Sequence, residues 1–409
     1  MKTFMTYNWK STAVLHSLLV TTFVALSCVS NAQQVELTEE AAITAAIQFH
    51  PSIRAAEKKT SAQQALERSA FQLDNPALSL QSPTGEFYTV GATQNFDFPT
   101  VYHRQKKVLV AETELAQKQE LLTQQEVQRR AAMLYIAAKF AATQLYYLEI
   151  QDSILQLLRS NALRQFDAGE INFMEKSFAE LQYGEVHSQL LKAQNENTQA
   201  LQAVQLFCGI DGNVTVPQWK VDELNGLLLS GPYIPAMENS AWMNVAKGQS
   251  EVAQRQLSLE KSRALPGLQV GYMNQSTRDT PLGMRWQAGI TLPLWFWQYS
   301  GKIKSARIMA DAASENEKSM ALEYAIALQE RQSQVLSSSQ ELNYYLQSAL
   351  KQADDLSSSS QRFFDAGEID YITHLRTLND ALKVKFNFAM AAKTYFQSLR
   401  ELKFITGSN

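Results

Sequence analysis

One stretch of this chain is written twice, and that constrains the fold more than any other feature. Arg164 followed by Phe166-Asp167-Ala168-Gly169-Glu170-Ile171 returns as Arg362 followed by Phe364-Asp365-Ala366-Gly367-Glu368-Ile369. Carried on without a gap, the same offset sets Val186 on Val384, Ala193 on Ala391, Gln199 on Gln397, Leu201 on Leu399 and Gly209 on Gly407. The period is far longer than a solenoid repeat, so each half is expected to be one substantial piece of architecture.

Each half repeats the same order of parts. Arg104 to Phe166 contains no Gly or Pro and carries Leu134, Ala138, Ala141, Leu145 and Leu148 at three-to-four spacing, which predicts one helix of about 95 Å; Lys302 to Phe364 matches it. Asp-Ala-Gly then supplies a turn, and a second helix runs back to Gly209 or Gly407. These returning helices, from Glu170 to Cys208 and from Glu368 to Thr406, reach only about 58 Å. Two further helices, Thr38 to Leu73 and Met237 to Ala264, at about 54 and 42 Å, complete the length if each stacks end to end with a returning helix. Asp211 to Pro235 reads as an irregular belt where those ends meet. The resulting division is 1–32 leader, 33–209 first repeat, 210–236 equatorial linker and 237–409 second repeat, with strand pairs at 76–98 and 266–294 and tips at 164–171 and 362–369.

The strand pairs alternate. Tyr88, Val90, Ala92, Phe96 and Phe98 fall on one face, interrupted by Gln94, with Thr89, Gly91, Thr93, Asn95 and Asp97 on the other. Met284, Trp286, Ala288, Ile290 and Leu292 oppose Arg285, Gln287, Gly289 and Thr291. Alternation over about ten residues is the pattern of a transmembrane β-barrel strand, and also of a half-buried sheet. Phe96, Phe98, Tyr102, Trp295, Phe296, Trp297 and Tyr299 cluster where strand passes to helix, the place of a membrane girdle or of a packed junction. Four strands cannot close a barrel, since the smallest need about eight, and an open edge in lipid leaves backbone groups unpaired. The chain is therefore expected to oligomerise, and three copies give twelve strands.

The N-terminus reads as an export signal: Lys2 and Lys10, an apolar run from Ala13, then Ser30-Asn31-Ala32 before Gln33. Cys28, after Ala25-Leu26-Ser27, offers a competing lipoprotein site. No other apolar run is long enough for a membrane helix. With a net charge of −3, and two lysines lost with the leader, the chain has no electrostatic footprint for nucleic acid. The only cysteine left is Cys208, which reads as packed, so no intrachain disulfide is expected.

In these features the chain resembles the TolC-like outer-membrane efflux proteins over the whole mature sequence. The resemblance rests on Leu37-Thr38-Glu39-Glu40-Ala41 with His50-Pro51, both strand pairs, both tips, and the junctions Phe96-Asp97-Phe98-Pro99 and Leu292-Pro293-Leu294-Trp295, each leading into a basic stretch. Asn95 to Thr100 most resembles the heavy-metal branch, the CzcC- and CusC-like proteins. The resemblance implies a mainly α chain with membrane β: a homotrimer with a twelve-stranded β-barrel in the outer membrane and an α-helical tunnel in the periplasm. It implies a passive channel that docks onto a periplasmic adaptor (membrane fusion protein), itself bound to an inner-membrane pump of the resistance-nodulation-division type. The matching tip residues are Arg164, Phe166, Ala168, Gly169 and Glu170, then Arg362, Phe364, Ala366, Gly367 and Glu368. A small Ala-Gly pair admits a partner hairpin closely, while Gly as a turn and Arg as a helix end account for the same residues within one chain. Drug-efflux members carry acids where this chain has Thr373 and Arg376, so Asp370 and Glu175 become alternative entrance-lining residues, or merely solvated ones.

An enzyme is poorly supported, with no phosphate loop, nucleophile elbow or His-Glu-x-x-His pattern. His50, His103, His187 and His374 have no partner at ligand spacing, so neither a resident metal nor a cofactor is expected. Drug efflux, type I protein secretion and a soluble periplasmic helical scaffold are the competing readings.

Overall fold

The computed structural model describes residues 35–82, 85, 88–224, 240–274, 285–294 and 296–407; the leader, Cys28, Trp295 and the second half of the linker lie outside these. The chain begins with a short strand β1 (Val35–Glu36), followed by α1 (Glu39–Phe49) and α2 (Pro51–Arg68). The single helix expected over 38–73 is thus two. Pro51 supplies no amide and disfavours helical backbone at the residue before it, so His50 sits extended, and its Nδ1 accepts from the Ser52 amide at 3.3 Å to cap α2.

Strands β2 (Ala77–Gln81) and β3 (Thr89–Phe96) lead into α3 (Pro99–Asp167), an uninterrupted helix of 69 residues, about 100 Å long. It starts earlier than its apolar periodicity indicates, because Pro99 is well suited to the first helical position. After the first tip, α4 (Phe173–Cys208) returns and ends at Gly209 in left-handed conformation, φ 63°. Gly209 has a second reason to be glycine: a Cβ there would overlap the Phe49 ring at the end of α1. Beside it, the rings of His50 and Phe207 meet at a tilt of 40° with centroids 4.6 Å apart. The first end-to-end junction is built from these contacts.

The described part of the linker, 210–224, carries regular elements and a buried anchor. Strand β4 (Val214–Thr215) pairs in parallel with β1, Trp219 is buried and stacks on Phe396, its amide donates to Thr143 Oγ1 at 3.0 Å, and α5 (Val221–Leu224) follows. These contacts join residues far apart in sequence, which no local pattern announces.

The second repeat comprises α6 (Ala241–Ser262), β5 (Gly267–Asn274), β6 (Trp286–Thr291) and α7 (Phe296–Tyr344), which passes through a π-turn (Tyr345–Ala349) into α8 (Leu350–Asp365). The returning helix α9 (Tyr371–Thr406) has the same 36 residues as α4 and ends at Gly407, again left-handed at φ 66°. The π-turn has no counterpart in α3. Two charged pairs tie the repeats together at mid-length, Arg129 to Glu401 at 2.7 Å and Arg400 to Glu39 at 2.6 Å.

The core is distributed along the bundle. Leu148, Leu155, Val186, Leu190, Leu375 and Leu378 pack where α3, α4 and α9 approach the tips. Ile136, Val335, Leu342, Phe388 and Tyr395 pack around Trp219, and Ala42, Ala131, Ala138, Val204 and Cys208 pack at the first junction. Cys208 is buried as expected, and burial pushes its thiol pKa up.

Candidate functional site

Two regions carry the features from which a function can be argued: the sheet at one end and the paired tips at the other. The sheet has the order β2-β3-β5-β6, antiparallel throughout. Its register gathers most of the apolar residues of all four strands on one face, with Gln94 and Asn274 among them, while Ala77 and Met273 fall on the other. Leu78 lies opposite Ala92, Ala92 opposite Tyr272 and Tyr272 opposite Trp286; Leu80 pairs with Val90, Phe96 with Leu268, and Leu268 with Ile290. The other face holds Ser79, Gly91, Thr93, Asn95, Gln269, Gly271, Gln287 and Gly289. Leu78 is 82% exposed, Trp286 64% and Ile290 67%; on the polar face Thr89 and Gly91 are covered and Asn95, Gln269 and Gln287 are exposed. An apolar face of this extent turned outward is the reverse of a water-facing sheet packed on a core.

Glycines on the polar face permit the crowding. A Cβ on Gly91 would stand 2.8 Å from Ser79 Oγ, and one on Gly271 would stand 3.0 Å from Thr93 Cγ2. At both ends of the strand order, β2 and β6 have no further strand paired to them among the described residues.

At the strand-to-helix junctions, Phe98 and Trp297 are exposed and Phe96 is half-buried. Tyr102 turns back instead: its hydroxyl accepts from the Asp97 amide at 2.9 Å, and its ring stacks on Phe71. Trp295, the remaining girdle candidate, lies outside the described residues.

The two tips are near-copies in backbone. In the first, the amide of Ala168 donates to Arg164 O, that of Gly169 to Phe166 O and that of Glu170 to Gln165 O; in the second, Ala366, Gly367 and Glu368 do the same to Arg362, Phe364 and Phe363. Gly169 has φ 76° and Gly367 φ 71°, the left-handed conformation that closes a helix C-terminus. A Cβ at either glycine would meet nothing within 4 Å, so within one chain only the backbone angle requires glycine, and the space outside is open. Arg164 donates to Asn161 and Arg362 to Ser359, each on its own helix, and Ala168, Glu170, Ala366 and Glu368 are exposed.

Behind the turns the copies diverge. Asn172 caps α4 in a reciprocal box: its side chain accepts from the Glu175 amide while the Glu175 carboxylate accepts from the Asn172 amide, both at 3.0 Å. Asp370 caps α9 by accepting from the Thr373 amide at 2.6 Å, and those hydrogen bonds hold its carboxyl below the usual range. Both acids weighed as entrance-lining residues are thus employed at helix starts, while Thr373 and Arg376 are exposed. Phe166 meets Phe173 edge-on, with Lys176 over its ring at 4.8 Å. Phe364 stacks on His374 at 4.8 Å, and His374 Nδ1 shares a 2.8 Å hydrogen bond with Ser360. Sequence reasoning missed Phe173, 67% exposed, and Met174, 73% exposed, which widen the first tip's apolar surface. Their position directly after the Asn172 cap is the signal that was available.

The other histidines lie apart. His50 caps α2, His103 is exposed, and His187 contacts Asp152 at 2.9 Å. Among the described residues no three His, Cys, Asp or Glu side chains gather as a metal site, and no helix is long and apolar enough to cross a membrane.

No family model matches this sequence, and no curated protein matches it. Solved structures do. CusC, from a study of conformational changes accompanying folding and transmembrane channel formation, superposes with a TM-score of 0.75 at 14% identity, over 92% of this chain and 93% of its own. The Campylobacter jejuni CmeC outer membrane channel gives 0.70 at 11% identity, over 93% and 90%. The outer membrane protein VceC of Vibrio cholerae gives 0.69 at 16%, over 91% and 96%. At these identities the likeness speaks for the fold, and it covers both repeats and the sheet.

Proposed function

Taking as premise that this chain has the TolC-like channel fold, we propose that three copies form an outer-membrane channel, the exit component of a tripartite efflux system. The observation that carries the reading is the four-stranded sheet, apolar on one exposed face, polar on the other and, among the described residues, open at both edges, mounted on a helix about 100 Å long. Three such sheets joined through β2 and β6 close a twelve-stranded barrel, leaving no unpaired edge in lipid and turning the polar faces to a lumen. The helices continue the lumen into the periplasm, and the tips meet a periplasmic adaptor beneath which an inner-membrane pump supplies the driving force.

Conduction through such a channel is passive. Along the strands the polar residues bordering the lumen, Thr93, Asn95, Gln269 and Gln287, are uncharged and offer weak, exchangeable contacts rather than tight binding, with the charged Asp97 and Arg285 confined to strand ends; weak contact is what release to the exterior requires. Heavy-metal cations are the proposed cargo, on the resemblance of Asn95 to Thr100 to the CzcC- and CusC-like branch. The test is deletion with complementation, scored as growth on transition-metal salts and on hydrophobic drugs. Selective metal sensitivity is expected. Drug sensitivity alone would replace the cargo assignment, and recovery of the chain in the soluble periplasmic fraction would end the channel reading.

A further inference from the structure

Directly after each apolar strand, the helices carry cations without acids. From Pro99 to Ala111 the charged side chains are Arg104, Lys106 and Lys107, beside His103; from Phe296 to Ala310 they are Lys302, Lys304 and Arg307. All six Lys and Arg are exposed, and among the described residues no ion pair includes them. Some Lys and Arg elsewhere pair within the chain, as Arg129, Lys192, Arg255, Lys318, Lys385 and Arg400 do, and others do not; what sets these six apart is that each group of three stands in a stretch with no acid. The carboxylates lining the groove beside His103, Lys106 and Lys107 are Glu114 and Glu251, and Glu251 is held by Arg255 at 3.1 Å.

In each half these cations follow the apolar strand, five to ten residues of helix after the exposed Phe98 or Trp297. We propose that the six cations form a binding surface for anionic phospholipid headgroups at the periplasmic face of the membrane, holding the channel at a fixed depth. Long Lys and Arg stems lie along apolar surface while their heads reach phosphodiesters, and positive charge next to a bilayer attracts anionic lipid within a Debye length. An acidic protein partner would satisfy the charge but not the contiguous apolar face. The inference rests on the membrane reading of the sheet.

The experiment uses the full chain reconstituted in phosphatidylcholine vesicles containing phosphatidylglycerol, with one lipid brominated at a time and tryptophan fluorescence quenching measured. Phosphatidylglycerol is expected to be enriched at the protein by a factor of about five, and the preference should vanish in high salt. It should also vanish when Arg104, Lys106, Lys107, Lys302, Lys304 and Arg307 are changed to Gln, fall partway when only one half is changed, and survive exchange of Lys for Arg. Equal quenching by both lipids in the unaltered chain, or a preference that persists in the Gln variant, would overturn the proposal alone. Quenching by neither lipid would overturn the membrane reading beneath it.

Discussion

His374 is fully buried against Phe364, with Nδ1 bound to Ser360 and Nε2 without a partner, and burial lowers its pKa although Asp365 opposes this. The folded chain therefore holds it neutral, while the unfolded chain takes up a proton near the ordinary value of 6.5. Stability of the second tip should decline as pH falls through that value and level off below the depressed one. Hydrogen exchange of α8 and α9 measured across this range should show the loss, and His374→Phe, which keeps the stacked ring, should flatten the profile. Unchanged pH dependence in that variant would exclude His374 as the source. Gly367 permits a separate test. Gly367→Ala places a Cβ in left-handed backbone with no neighbour to strike, so denaturant unfolding should show a cost of about 1–2 kcal/mol without loss of fold. A loss of adaptor capture much larger than that cost explains would mean that the open space over the tip receives a partner.

At the scale of elements, the two faces of the sheet make opposite predictions from adjacent residues. Trp286→Lys puts a charge on the apolar face at the end of β6 remote from the girdle and should cost about 2–4 kcal/mol, depleting the chain from the outer-membrane fraction. Gln287→Lys on the polar face should leave that fraction unchanged; equal depletion by both would refute the assignment of faces. This alternation was legible in the sequence because a strand's period of two survives whatever its neighbours do. The tip turns were legible too, since Gly169 and Gly367 each sit where a helix must end. The break at His50-Pro51 was written in the proline but hidden by an apolar periodicity that runs through it. Pairing of β1 with β4, the Trp219 strap and the π-turn were not legible, because partners far apart in sequence decide them. Glu175 and Asp370 show the same limit at the tips: that both acids cap helices is not visible until the backbone amides are placed.

For the whole molecule, duplication explains the architecture economically. Two copies of one helix-hairpin-helix unit, one with an unbroken helix about 100 Å long and the other with its long helix passing through a π-turn, each with a returning helix completed by a second segment, make a protomer with a tip at one end and a sheet at the other. That sheet is unfinished, and its edges set the central claim that copies of the chain close one barrel through β2 and β6. The direct measurement is cysteine cross-linking in outer-membrane fractions, pairing each of Ala77, Ser79 and Gln81 on β2 with each of Gln287, Gly289 and Thr291 on β6. Oxidation of in-register pairs should give a ladder of covalent dimers and trimers that stops at three, with neither edge cysteine alone producing it. Monomers at every pairing, or a ladder continuing beyond three, would contradict the closed trimeric barrel.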